Sequence, residues 1–305
     1  MEIREIGEDE LEQLIGVVAL AMPREEMGGV GGLIDWKRQA EAMIWLLAED
    51  GGSAVGAGYA LTGWHTPSQR GIGCALVVPE HRGHGVGDAL RETIERWVLE
   101  HGATELDAGI AEEDEGSLAW AAARGYVESG RSSRMVLDLT SIEPPAVASP
   151  PGIAIVTWAE RPELAPGLWE VAREAGPDIP GEEDIDVGTF EEWLERDMRG
   201  AEDRPAAVFV AVEDDAVLGY AKLSFSSDRT DRAFHDLTGV RRAQRGRGIA
   251  AALKATQIRW AKEHGYESLQ TSNELRNAPI RHLNAKHGYV PEPGTVIVRA
   301  TIAET

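Results

Sequence analysis

One segment of the sequence occurs twice. Arg82-Gly83-His84-Gly85-Val86-Gly87 returns 163 residues later as Arg245-Gly246-Arg247-Gly248-Ile249-Ala250. The same offset carries Gly125-Tyr126-Val127 to Gly288-Tyr289-Val290, and no insertion is needed between the two matches. Matches in a single register over such a distance indicate that one domain has been duplicated. We therefore expect the chain to fold as two copies of the same unit.

The boundary between the copies is visible in the composition. A chain of 305 residues is long enough for two domains of about 150 residues, each with its own core. The stretch 144–152 contains four prolines, which remove backbone donors and favour extended conformations, so it suits a semi-rigid linker. The predicted organisation is an N-terminal domain over 1–143, a linker over 144–152 and a C-terminal domain over 153–305.

Helical and extended patterns alternate within each copy. In the second copy the patterns predict helices over 164–173, 190–198, 249–264 and 279–286, and strands over 153–158, 206–212, 217–224, 234–240, 268–272 and 295–302. A further strand, 135–139, is predicted to end the first copy. Each copy is therefore expected to be a mixed α/β domain.

The repeated segment has the composition of a phosphate-binding loop. A predicted strand ends at Val240, an Arg- and Gly-rich loop follows, and a helix begins near Ile249. Glycine lets backbone amides approach an anion closely, and a helix N-terminus adds unpaired donors and partial positive charge. Arg241, Arg242, Arg245 and Arg247 place four cations there. The Gly-Lys-Ser/Thr ending of a Walker loop is absent.

The pattern Arg/Gln-x-x-Gly-x-Gly/Ala between a strand and a helix resembles the pyrophosphate signature of GNAT-type acetyltransferases, and the closing Gly-Tyr pairs resemble the family's Gly-Phe/Tyr signature. The resemblance spans most of both halves. It implies two tandem GNAT folds, each a twisted, mostly antiparallel sheet with a splayed strand pair flanked by helices. It also implies acetyl-coenzyme A (acetyl-CoA) as cosubstrate, bound in the splayed gap, with no metal.

The resemblance carries over to particular residues. In the second copy it assigns cofactor binding to Val240, Arg242, Arg245, Gly246, Arg247, Gly248, Ile249, Ala250, Asn277 and Asn284. In the first copy it assigns the same role to Val77, Arg82, Gly83, Gly85 and Gly87. Asn284 stands where the family often has a tyrosine that protonates the departing thiolate, and this departure is similar to tandem proteins of the mycothiol-synthase kind. A neutral amide can orient the cofactor but cannot serve as an acid.

Asp236, on the strand that enters the loop, is the candidate catalytic base. An amine attacks a thioester only when it is neutral, so a carboxylate that accepts its proton directly or through water is useful. The alternative is an ordinary strand carboxylate or one that orients the substrate. His235 is its neighbour, and because adjacent strand residues face opposite sides, only one of the two should face the cleft.

The first copy departs from the second at the loop. Val78, Pro79 and His84 replace three of the arginines, and Asp88 follows the loop, where an anion would repel a diphosphate. Asp114 and Ala121 stand at the positions of Asn277 and Asn284. We therefore expect the first copy to be degenerate and the second to be catalytic.

The net charge and the cysteine content limit which partners and which cellular compartment are expected. The formal net charge of −22 disfavours nucleic acid and polyanionic membranes as partners, because phosphate binding is driven by cations. It fits either attraction of a cationic amine or a solvated surface, and the same two interpretations apply to the acidic stretch 182–186. The single cysteine, Cys74, excludes an internal disulfide and fits a cytoplasmic protein. A monomer or a homodimer is expected.

The leading functional prediction is an acetyl-CoA-dependent N-acetyltransferase acting on a small-molecule amine. Two alternatives remain open. One is acetylation of a protein, peptide or thiol-precursor amine, as in mycothiol synthesis. The other is a non-catalytic protein in which both halves sense acyl-CoA.

Overall fold

Helices and strands alternate along the chain in the computed structural model, which describes residues 1–23, 29–63, 69–179, 186–200, 202–227 and 229–302. Their bounds are β1 Glu2–Glu5, α1 Leu11–Ala21, α2 Gly29–Gln39, β2 Ala42–Asp50, β3 Ser53–Thr62, β4 Arg70–Val77, α3 Val86–Glu100, β5 Glu105–Ala111, α4 Glu115–Ala122, β6 Val127–Asp138, β7 Ala154–Thr157, α5 Ala165–Ala175, α6 Phe190–Asp197, β8 Val208–Glu213, β9 Ala216–Ser224, β10 Arg232–Val240, α7 Ile249–Glu263, β11 Ser268–Glu274, α8 Ala278–Lys286 and β12 Val290–Thr301. Every helix and strand expected in the second copy is present, within a few residues of its predicted bounds.

The first compact unit comprises Met1–Arg131 together with the chain from Thr295 onward. Its strands lie in the order β1-β2-β3-β4-β5-β12. All neighbours are antiparallel except β4 and β5. The last strand pairs Thr295 with Ala111 through Thr301 with Glu105.

The second compact unit comprises Ser132–Gly294. Its strands lie in the order β7-β8-β9-β10-β11-β6, again antiparallel except for one central pair, β10 and β11. Strand β6 pairs Ser132 with Glu274 through Asp138 with Ser268. Each unit is therefore a mixed, mostly antiparallel sheet flanked by helices.

The two copies exchange their final strands. The strand that ends the first copy completes the sheet of the second unit, where Met135 and Leu137 are buried in the core with Leu253 and Leu269. The strand that ends the second copy completes the first sheet, where Val296 and Val298 are among the buried residues. The compact units thus differ from the sequence ranges 1–143 and 153–305, because an alternating pattern predicts a strand but not the sheet that it joins.

The two sides of β8 show why the second unit has helices on both faces. Val208, Val210 and Val212 pack in one cluster with residues of α5 and α6, including Leu168 and Trp193. Phe209 and Ala211 pack in the other cluster with Ile249, Leu253 and Ile258 of α7. This alternation with period two follows from strand geometry. Helix α7 therefore starts at one face of the sheet, directly after the loop that follows β10.

The central parallel pair of the second unit separates along its length. Among the described residues, β10 pairs with β11 only over Arg232–Phe234 against Ser268–Gln270. The pairing of β10 with β9 also shifts register between His235 and Thr238, which marks a bulge. Beyond Phe234 the inner edges of the two strands leave a gap that points toward the glycine-rich loop. This is the splayed strand pair expected from the resemblance.

Within the described part of the chain, no helix is long and apolar enough to cross a membrane.

Candidate functional site

The loop after β10 exposes a row of backbone donors. Gly246 and Gly248 have φ angles of 79° and 85°, a left-handed conformation that glycine adopts without steric cost, and Gly248 is the N-cap of α7. Among the residues that the structure describes, none accepts a hydrogen bond from the amides of residues 246–250. These N–H groups and the helix N-terminus together have the chemistry to hold an anion.

A pocket of about 340 Å³ lies against this loop. One wall is the loop itself with the start of α7, and the other is α8. Its lining comprises Val240, Gln244, Arg245, Gly246, Gly248, Ile249, Ala250, Ala251, Pro279, His282, Leu283 and Lys286. Six of these were expected from the sequence. The α8 residues were not, although their spacing of three or four places them on one helix face and was a usable signal.

Two loop arginines are held by a single carboxylate. Arg242 donates to both oxygens of Asp178, at 2.7 and 3.0 Å, and Arg245 donates to the same carboxylate at 2.6 Å. Hydrogen bonds from Arg242 and then Arg245 lower the pKa of Asp178 to about 2. Arg245 also donates from Nε to the carbonyl of Val240 at 3.1 Å, which ties the loop to the end of the strand.

The other two arginines are paired as well. Arg241 donates to Glu170 at 2.8 Å, and Arg247 donates to Glu213 at 2.7 Å. The sequence pattern predicted four cations available to an anion, whereas the structure places a carboxylate against each of them. The loop sequence could not reveal these carboxylates because they lie far away along the chain. They are on α5, in the turn after it and at the end of β8, 34 to 71 residues before their partners.

Asp236 is the exposed end of a buried ion network. Its Oδ2 lies 3.1 Å from Nζ of Lys222, which also lies 2.7 Å from Asp203 and donates to the carbonyl of Asp197. Burial alone would lower the pKa of Lys222, but the carboxylates of Asp236 and Asp203 raise it above its ordinary value. Asp236 itself keeps 44% of its side chain exposed.

His235 faces the opposite side of the sheet, as strand alternation predicts. It is buried, with Nδ1 3.0 Å from Oε1 of Gln257 and Nε2 bonded to the hydroxyl of Tyr289. Burial, with the nearby charge of Lys254, lowers the pKa of His235 well below its usual range, so the ring is neutral. The neutral imidazole belongs to a packed polar cluster under α7 and not to the gap.

The two asparagines differ in position. Asn277 precedes α8, and its side chain makes no hydrogen bond to any described residue. Asn284 is fully buried, with Nδ2 2.8 Å from Oδ1 of Asn273 and its own Oδ1 without a partner among the described atoms. This burial differs from the cofactor contact expected of Asn284, since a side chain closed off by protein does not line the pocket.

The glycine-rich loop of the first unit has the same backbone conformation as that of the second unit, but different side chains lie around it. Gly83 and Gly85 have φ angles of 78° and 85°, and Nε of Arg82 donates to the carbonyl of Val77 at 3.3 Å. The guanidinium of Arg82 lies 3.5 Å from Asp114, which caps α4 by accepting from the Ser117 amide.

Side chains occupy the space beside that first loop. Asp88 accepts two hydrogen bonds from Arg124, one of them at 2.8 Å, and this pairing lowers the pKa of Asp88. Arg124 in turn stacks on Trp120, with 4.2 Å between its Cζ and the ring centroid. A Cβ on Gly87 would lie 3.6 Å from Trp120. Asp88 was expected to repel a diphosphate as a free anion, but its charge is already compensated by Arg124.

Two expectations concern ligands away from the loop. Most of the acidic stretch 182–186 lies outside the described residues; Asp186 alone is placed, and it accepts from the Gly188 amide at 2.9 Å. Among the described ranges there is no group of three or more His, Cys, Asp or Glu side chains arranged to hold a metal ion.

Solved structures resemble this chain over nearly its whole length. A tandem GNAT protein from the clavulanic acid biosynthesis pathway has a TM-score of 0.79 at 23% identity, covering 100% of this chain and 99% of that one. A GCN5-related N-acetyltransferase from Sphaerobacter thermophilus has a TM-score of 0.75 at 22% identity, with coverages of 99% and 96%. A GNAT-family acetyltransferase from Colwellia psychrerythraea has a TM-score of 0.66 at 14% identity, with coverages of 98% and 99%.

No curated protein matches the sequence. The solved structures establish the fold, and they confirm the predicted tandem architecture. The model of the acetyltransferase (GNAT) family matches residues 6–126 and 166–289, one stretch in each copy. The chain therefore belongs to the GNAT family of acetyltransferases.

Proposed function

We propose that the second unit is an acetyl-CoA-dependent N-acetyltransferase that acts on the amine of a small molecule, and that the first unit is non-catalytic. The observation that carries the proposal is the row of amides at residues 246–250, which donate to no described residue and lie at a pocket beside the splayed strands. Such a row fits a diphosphate without any cation from a metal. Acetyl-CoA would supply the activated acetyl group.

The chain's own groups account for binding and orientation. The amides of 246–250 would hold the diphosphate, and the edge of β10 that faces β11, near Val240, would pair with the amide-containing arm of the cofactor. Asn277, whose side chain makes no hydrogen bond to a described residue, can donate to and accept from the same arm. These contacts would align the cofactor along the gap between β10 and β11.

Asp236 lies on the face of β10 opposite His235, and its pairing with Lys222 fixes one carboxylate oxygen. The other oxygen can hold the amine and accept its proton, directly or through water. Lys222, Asp203 and Asp236 together carry one negative charge, which suits a single incoming ammonium group. A small molecule as the acceptor is supported by one structural neighbour, the tandem GNAT protein from the clavulanic acid biosynthesis pathway.

The duplication supplies a matched test. Gly248→Val places a β-branched residue at a φ of 85° in the second loop, and Gly85→Val makes the same change at the same φ in the first. We expect wild type to bind one CoA per chain by calorimetry, Gly248→Val to lose that binding, and Gly85→Val to keep it. Loss of binding in Gly85→Val alone would assign the site to the first unit.

A sensor without catalysis is the second candidate, because the position of the usual acid is a buried asparagine. Thiol release from acetyl-CoA across a panel of amines separates the two functions. Release that depends on Gly248 supports the transferase. Stoichiometric CoA binding with no thiol release on any amine supports the sensor.

A further inference from the structure

The four loop arginines leave little net charge for a ligand. Arg241, Arg242, Arg245 and Arg247 each contact a carboxylate at 2.6 to 2.8 Å. Against these four positive charges stand the four carboxylates Glu170, Glu174, Asp178 and Glu213. The cationic character that the sequence suggests is therefore balanced within the protein, and the loop attracts an anion mainly through its amides.

Lys286 is a different kind of cation. It is the last residue of α8, it is exposed, and it lines the same pocket as Gly246 and Gly248. Among the described residues, no carboxylate lies within salt-bridge distance of its Nζ. A lysine in the last turn of a helix also interacts favourably with the helix dipole, but that interaction does not neutralise its charge. Lys286 thus brings an uncompensated positive charge to the wall that faces the amides.

The first unit lacks this charge. The position of Lys286 is occupied by Ala123, and the position of Leu283, which faces the pocket, is occupied by Trp120. In the first unit Trp120 lies beside Gly87, and Arg124 forms an ion pair with Asp88. The two loops have nearly the same backbone, so the difference between the units lies in what α4 and α8 present to them.

We infer that Lys286, rather than any arginine of the loop, is the side chain that neutralises the cofactor's diphosphate. This inference rests on the proposed function of the second unit and adds a residue outside the glycine-rich signature. The diphosphate would lie between the amides of residues 246–250 and Nζ of Lys286. A charge-assisted contact of this kind is worth about a tenfold change in affinity.

The test measures CoA binding by calorimetry for Lys286→Met, Lys286→Arg and a control, Arg276→Met. Arg276 is an exposed cation just before α8 that pairs with Glu274 and does not line the pocket, so its loss changes the net charge equally. We expect about tenfold weaker binding for Lys286→Met, near wild-type binding for Lys286→Arg, and no change for Arg276→Met. The difference between Lys286→Met and wild type should shrink at high salt.

CoA carries a second phosphate group on its ribose, and dephospho-CoA distinguishes the two. Contact with the diphosphate predicts the same loss for both ligands in Lys286→Met. A loss confined to CoA would overturn the assignment, since the ribose phosphate would then be the partner. Unchanged binding in Lys286→Met would overturn the inference while leaving the proposed function intact, and failure of wild type to bind CoA at all would remove both.

Discussion

Asp178 forms ion pairs with Arg242 and Arg245 of the glycine-rich loop, and removing its charge should strengthen cofactor binding. In the structure its carboxylate accepts from Arg242 and Arg245 at 2.6 to 3.0 Å. A diphosphate that settles on the neighbouring amides brings its own negative charge next to this carboxylate. Asp178→Asn keeps the size of the side chain and removes the charge, so the bound state loses a repulsion and both arginines become available.

The size of the effect follows from exposure. The side chains of Asp178, Arg242 and Arg245 are 33%, 56% and 44% exposed, so each ion pair is screened by water. An exposed pair of this kind changes an equilibrium by a factor of about 1.5 to 5. Two pairs therefore predict CoA binding about 2- to 25-fold tighter in Asp178→Asn.

The free protein should respond in the opposite direction. The pKa of Asp178 is about 2, below its ordinary value of 3.8, so its ion pairs stabilise the fold above pH 3.8 and lose that contribution as the pH falls through 2. At pH 7, Asp178→Asn should therefore unfold a few degrees below wild type without CoA, with the gap closing near pH 2.

Calorimetry with CoA and thermal unfolding without it are the two assays. Asp186→Asn is the control. Asp186, like Asp178, follows helix α5 in the chain, but among the described residues it accepts a hydrogen bond only from the Gly188 amide. Weaker CoA binding in Asp178→Asn would refute the reasoning, because it would mean that Asp178 positions the arginines for the ligand instead of competing with it.

Two further predictions concern buried lysines. Lys222→Met should lower the free energy of unfolding by about 3 kcal/mol, because it leaves Asp203 and Asp236 without their shared cation, and denaturant unfolding should show part of the loss recovered in Lys222→Met/Asp203→Asn. Lys254→Met should raise the melting temperature, because burial lowers the pKa of Lys254 to about 7 and an unfolded chain takes up a proton that the fold excludes. That penalty grows as the pH falls from 10.5 to 7, so the gain should be larger at pH 7 than at pH 10; an equal gain at both would show that Lys254 is not desolvated.

The sequence predicted the elements well because local patterns determine them. The strand ending at Val240, the loop and the helix from Ile249 all follow from hydrophobic spacing and glycine placement, and duplication allowed each to be checked against a second copy. The same information predicted a glycine-rich turn between strand and helix, where the structure gives Gly246 and Gly248 left-handed φ angles.

Long-range pairing was beyond local patterns. Nothing in the run of residues around Arg245 indicates that Asp178 lies 2.6 Å away, 67 residues earlier in the chain. The place of Lys286 at the pocket was beyond the sequence for a related reason, because a helical pattern predicts α8 but not the face that α8 turns to the loop. The burial of Asn284 depends on Asn273 and Met135, and Met135 comes from the strand that the first copy contributes.

The exchange of β6 and β12 has a consequence for how the chain can be made and divided. The sheet of the first unit needs β12, which follows the whole of the second copy along the chain, so this unit cannot reach its final strand order before residues 295–301 have been synthesised. A fragment ending at residue 143 would keep β6 but lack β12, leaving the edge of β5 unpaired and open to other chains. Cutting the gene at the proline-rich linker therefore yields two incomplete proteins, whereas the intact chain supplies each half with the strand that the other half encodes.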